Sequence, residues 1–130
     1  MSEAEFVTAV LEEADCLLHL DVNNVYVNSR NFGFDPLEYL DALPLERVAY
    51  MHVAGHHAED GGLLVDTHGA DVIDPVWALL DATCSRLGRS VPICLERDFD
   101  FPPLAALAAE VEHIAAIQAR HMQAVRCVAP

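Results

Sequence analysis

Apolar positions along the chain switch between a helical and an extended period. Ser2 and Glu5 make an S-x-x-E capping box, and Phe6, Val7, Val10 and Leu11 then recur at helical spacing, predicting a helix over about residues 3–14. Cys16-Leu17-Leu18-His19-Leu20-Asp21 is a short apolar run with a polar end, a strand over about 17–21, and the Asn-rich stretch behind it reads as a loop. Asp35, Pro36 and Glu38 open a short second helix that Pro44 cannot continue. Val48 to Val53 is a second strand, followed by a long connection from Ala54 to Ile73. Asp74-Pro75 repeats the cap signal, Val76, Leu80, Thr83 and Leu87 form a stripe, and Gly88 closes that helix. Val91 to Glu96 is a third strand, and Pro103 starts a last helix with Leu104, Leu107, Val111, Ile114 and Ile117 on its apolar face.

Helices alternating with strands in the order αβαβαβα define an α/β fold, with parallel strands joined by right-handed crossover helices in a single domain over residues 1–130. Three strands cannot close a barrel. Alone they leave two edges and a half-covered face, so the chain reads as part of a larger protein or one that needs a partner. The strand faces turned away from the helices are expected to be apolar and exposed, which favours self-association.

Four polar clusters sit where apolar runs end or in the long connection: Asp21-Val22-Asn23-Asn24, His52 to His57, Asp66-Thr67-His68 and Glu96-Arg97-Asp98. Carboxylates, imidazoles and amides are thereby delivered to one rim of a sheet, the arrangement that metal chemistry uses in α/β barrels. Each cluster also has a plainer reading. His52 fits a hydrogen-bonded core residue as well as a ligand, and His56 follows it on the same face only if the strand continues. Asp66 and His68 point the same way in an extended segment, where one metal or two adjacent ones could be held. Asp21 and Asn24 offer hard oxygen ligands or a turn, and the turn is preferred for Asn23. Glu96 is a ligand or one half of a rim ion pair with its neighbour Arg97.

Charge narrows the partners. Seven basic against twenty-one acidic residues give a formal net charge of −14, which repels nucleic acid and anionic membrane and concentrates cations. No apolar stretch is long enough to span a bilayer, and the N-terminus lacks signal-peptide regions, so a cytoplasmic protein is expected. Cys16, Cys84, Cys94 and Cys127 are widely spaced without a C-x-x-C, and three of them lie in apolar segments where a reduced thiol behaves as a small hydrophobe. Mixed imidazole and carboxylate donors without cysteine suit iron, manganese or zinc. A phosphate-binding glycine loop, a G-x-S-x-G elbow and a cysteine beside a base are all missing from the sequence.

The motifs Leu20-Asp21-Val22-Asn23-Asn24-Val25-Tyr26-Val27-Asn28, Asn31-Phe32-Gly33-Phe34-Asp35-Pro36, His52-Val53-Ala54-Gly55-His56, Asp66-Thr67-His68-Gly69 and Leu95-Glu96-Arg97-Asp98 resemble, in this order, the DUF692 family. Its members are also called multinuclear non-heme iron-dependent oxidases and include the methanobactin-biosynthesis iron oxidase. The resemblance runs from about Phe6 to about Leu107 and implies a partial TIM-type (β/α) barrel, its C-terminal half. It also implies an oxidase that binds two or three irons at the C-terminal rim and uses dioxygen to modify cysteine or other residues of a ribosomally made peptide, with a small partner protein presenting that peptide. Carried over motif by motif, Asp21, Asn24, His52, Asp66, His68 and Glu96 are metal ligands, and His56 replaces or supplements His52. Family members are roughly twice this long, and their N-terminal half supplies further histidines and a glutamate with no counterpart here. The chain is thus expected to work with a missing N-terminal half-barrel, or else to be a non-catalytic remnant that serves as a binding or assembly module.

Overall fold

The computed structural model describes residues 1–128, with side chains as far as Met122. Cys127 lies outside the described side chains. Helix α1 (Glu3–Glu13) opens with the expected capping box: the Glu5 amide donates to Ser2 Oγ at 3.2 Å and the Ser2 amide to Glu5 Oε2 at 2.6 Å. Strand β1 (Leu18–Asp21) leads directly into helix α2 (Val22–Phe32), where the sequence suggested a loop. The reason is a second use of Asp21, whose carboxylate caps α2 by accepting the Asn24 amide at 2.9 Å. Val22, Val25 and Ser29 then bury one helical face, and Gly33 ends it in the left-handed region at φ 73°.

Helix α3 (Pro36–Asp41) is capped by Asp35, and a 3-10 turn (Leu45–Arg47) leads into β2 (Val48–Ala54). The long connection holds a small antiparallel pair, β3 (His57–Ala58) and β4 (Leu64–Val65), which the hydrophobic pattern does not announce. Helix α4 (Asp74–Leu87) begins at Asp74 itself, with Ile73 in the cap position and no side-chain cap, so Asp74 is not the cap that its pairing with Pro75 suggested. Gly88 closes α4 as expected, at φ 59°. Strand β5 (Ile93–Glu96) starts two residues later than the apolar run, and α5 (Leu104–Val128) follows.

The main sheet has the order β1-β2-β5 with both pairings parallel, so α/β architecture with crossover helices is what the chain adopts, in keeping with part of a TIM-type barrel. Register places Leu20 beside Met51 and Asp21 beside His52, then His52 beside Cys94 and Ala54 beside Glu96. Leu20, Met51 and Val53, supported by Leu18, Ile93 and Leu95, pack against Val25, Val76, Leu80, Ile114 and Ile117 of the helices. The opposite strand face carries His19, Asp21, Tyr50, His52, Cys94 and Glu96. The expected exposed apolar face is therefore absent from the described sheet. Among the described residues, no helix is long and apolar enough to cross a membrane.

Candidate metal centre

The C-terminal ends of three parallel strands deliver Asp21, His52 and Glu96 to one rim. His52 Nδ1 lies 2.6 Å from Glu96 Oε2 and 4.0 Å from Asp21 Oδ2. The loop after β4 brings in Asp66 and His68: His68 Nε2 is 2.9 Å from Asp66 Oδ1 and 3.8 Å from Asp21 Oδ2, while its Nδ1 is 3.3 Å from Glu96 Oε2 and 3.5 Å from Asp98 Oδ2. Both imidazoles are largely shielded, at 18% and 16% side-chain exposure. Three overlapping groups emerge: Asp21–His52–Glu96, Asp21–Asp66–His68 and His68–Glu96–Asp98. Asp21, His68 and Glu96 each belong to two of them, so neighbouring ions would share ligands.

Local backbone chemistry explains the convergence. The segment from Asp66 is not extended throughout as its sequence suggested, because His68 adopts φ 54° and turns back over the rim. Its amide donates to the Gly55 carbonyl at 3.0 Å, and its carbonyl accepts from the Asp98 amide at 2.9 Å. Gly55 and Gly69 permit this approach, since a Cβ at Gly55 would overlap the Ala70 carbonyl and one at Gly69 the Phe99 ring. Arg97 then clamps the loop. Its side chain, only 5% exposed, reaches Asp71 Oδ1 at 2.6 Å, Glu110 Oε2 at 3.5 Å and the Gly69 carbonyl at 3.5 Å. The rim ion pair considered for Glu96 and Arg97 is thus not formed, and Glu96 faces the two imidazoles instead.

The amides lie around this core. Asn23, fully buried, donates to Asp66 Oδ1 and accepts from His56, whose Nδ1 is 2.8 Å from Asn23 Oδ1. Burial lowers the His56 pKa, only partly offset by the Asp66 charge. His56 stacks near Tyr26 and belongs to none of the three groups, since β2 ends at Ala54 and the alternation from His52 does not reach it. Asn24 donates to Asp66 Oδ2 at 3.2 Å and accepts from Asn28 at 3.1 Å, on a helix rather than a turn. Burial, then the nearby Asp66 charge, raises the Asp21 pKa against the lowering effect of the Asn24 amide. One member escaped the sequence reading: Asp98 was named in the Glu96-Arg97-Asp98 cluster but not as a ligand. His19, which lay inside an apolar run, shares the strand face of Asp21 by alternation but belongs to none of the three groups.

Four carboxylates and two imidazoles with no thiolate form a hard, anionic donor set that fits first-row divalent cations and suits neither an iron–sulfur cluster nor a structural zinc site. The model of a family described as RiPP precursor modification enzyme MbnB/TglH/ChrH matches residues 1–119. The chain belongs to this family. It is 62% identical over 121 residues to a UPF0276 protein of Nitrosospira multiformis, covering 93% of this chain and 42% of that relative. A UPF0276 protein of Shewanella amazonensis is 54% identical over 126 residues, covering 97% and 45%, and one of Pseudomonas aeruginosa is 53% identical over 124 residues, covering 95% and 43%. The chain therefore spans less than half the length of these relatives.

Proposed function

We propose that the chain forms the C-terminal part of a non-heme iron-dependent oxidase that uses dioxygen to modify a residue, cysteine first among them, of a ribosomally made peptide. The observation that carries the reading is the shared rim of Asp21, His52, Asp66, His68, Glu96 and Asp98, found in a chain of a peptide-modifying family. Asp21, His52 and Glu96 would hold one ion, with Asp66, His68 and Asp98 extending the site to a neighbour. Asn24 and His56 support the reading from outside, by bonding Asp66 directly or through Asn23. Bound iron supplies one-electron redox and dioxygen chemistry at this rim. The residues contribute a negatively charged, partly shielded rim whose loop is held by Arg97 and whose imidazoles are oriented by carboxylates.

Because the relatives extend well beyond the matched region, the remaining half-barrel is proposed as the obligate partner, supplying further ligands and the surface that meets the peptide and its presenting protein. The test supplies the chain with the N-terminal portion of the Nitrosospira relative. Iron is measured after anaerobic purification, and peptide mass is followed on admission of oxygen. Iron retention by the pair, with an oxygen-dependent change in peptide mass, is expected. Iron-free, inactive pairs that nonetheless assemble would favour the second reading, a binding or assembly module.

A further inference from the structure

The two rim histidines differ in what faces their second nitrogen. His68 has a carboxylate at each: Asp66 at Nε2, 2.9 Å away, and Glu96 at Nδ1, 3.3 Å away. His52 has carboxylates only at Nδ1, where Glu96 lies at 2.6 Å and Asp21 at 4.0 Å. Its Nε2 turns down the sheet to the Tyr50 hydroxyl at 3.1 Å. A neutral imidazole has one lone pair and one N–H, so a cation shared with Asp21 and Glu96 takes the Nδ1 lone pair and leaves the proton on Nε2. In a shielded site that N–H requires an acceptor.

Tyr50 is built to be that acceptor. It sits two residues before His52 on β2 and therefore on the same face. Its ring lies against His19, with centroids 4.8 Å apart, and edge-on to His52 at 5.0 Å. His19 also meets His52 edge-on at 4.0 Å, so three rings fix one another across β1 and β2.

We propose that Tyr50 is a positioning residue of the metal centre, whose hydroxyl accepts the Nε2–H of His52 and holds the tautomer in which Nδ1 is the ligand atom. The proposal rests on the metal reading of the rim. Loss of such an outer partner commonly weakens metal binding by about 10–100-fold. A purely structural tyrosine would act through its ring, which phenylalanine retains.

The experiment uses the chain assembled with the N-terminal portion of the Nitrosospira relative, under anaerobic conditions, comparing wild type, Tyr50→Phe and His52→Ala, with cobaltous ion as the affinity probe and zinc for the spectra. Tyr50→Phe should melt with wild type when metal-free, yet bind cobalt about 10–100-fold more weakly. In the zinc-loaded wild type, nitrogen-15 histidine spectra should show His52 protonated at Nε2 and metal-bound at Nδ1. Wild-type affinity in Tyr50→Phe, with binding lost in His52→Ala, would overturn the Tyr50 role alone. A wild type that binds no cobalt, or binds it as His52→Ala does, would remove the metal reading and Tyr50 with it. Should Tyr50→Phe fail to fold, the wild-type spectra decide: metal at Nε2 of His52 overturns the proposal, and metal at Nδ1 with a protonated Nε2 sustains it.

Discussion

The same three strands present two chemically opposed faces. Toward the helices stand Leu18, Leu20, Met51, Val53, Ile93 and Leu95, close-packed and aliphatic; the alternate positions carry His19, Asp21, Tyr50, His52, Cys94 and Glu96. A face meant for water would carry long solvated charges, and a face meant for a core would carry aliphatics. This one does neither. Its imidazoles, phenol and carboxylates bond to one another, as in an interior lined for a ligand. Exposed apolar side chains are spread over several elements: Phe6 and Val10 of α1, Phe99 and Phe101 of the loop after β5, and Leu104 and Val111 of α5.

The largest effect that would test this division is loss of chemistry without loss of fold. In the assembled pair, Glu96→Gln and His68→Asn should abolish the oxygen-dependent mass change while shifting unfolding free energy by no more than about 1 kcal/mol, because rim ligands contribute little packing. Asparagine is chosen at residue 68 because it tolerates the φ of 54°, where alanine would add strain of about 1 kcal/mol. Turnover by either variant would remove that residue from the site, and unfolding by either would make it structural.

Met51→Ala tests the other face. The side chain is fully buried at the centre of the helix-facing layer, and truncation should cost about 2–5 kcal/mol in denaturant melts. That is a large part of the ~5–15 kcal/mol that typically holds a domain together. A loss under about 1 kcal/mol would show that this face is not the core.

A smaller effect comes from pH. Burial, followed by the Asp81 charge, pushes the Cys84 thiol up from 9.0 to about 11. The folded chain then holds this proton more tightly than the unfolded one, so the contribution is complete below pH 9 and disappears as pH rises toward 11. Melts at pH 7 and pH 10.5 should show Cys84→Ala losing less stability over that interval than wild type, by on the order of 1 kcal/mol. Equal losses would place the thiol in contact with water.

Much of this arrangement could be read from the residues. The β1, β2 and β5 runs and the α4 stripe declared themselves because burial imposes period and length on apolar positions. Helix α2 did not, because Asn23, Asn24 and Asn28 are turn-formers locally, and here their amides are used by the site. The D-x-H pair was legible but its left-handed turn was not, because tertiary contacts at Gly55 and Gly69 hold it there. Adjacency suggested a local pair of Glu96 with Arg97, whereas the guanidinium turns to Asp71 and Glu110.

Cys94 gives the finest discrimination between the faces, because sequence and structure assign it differently. Its apolar run suggested a core thiol, yet pairing sets it beside His52 on the open face, half-buried, with Sγ 3.4 Å from the Leu95 carbonyl. Few aliphatic atoms surround it, so Cys94→Ala should leave a small cavity and cost less than about 1 kcal/mol, against a larger loss for buried Cys84→Ala. Accessibility should follow the same order. A thiol reagent, with products mapped by peptide mass, is expected to modify exposed Cys16 first and Cys94 well before Cys84. Protection of Cys94 equal to that of Cys84, together with a loss above about 2 kcal/mol, would place residue 94 among the helix-facing side chains. That result would shift β5 by one residue and carry Glu96 away from the imidazoles, so the stability of this one variant also tests the rim.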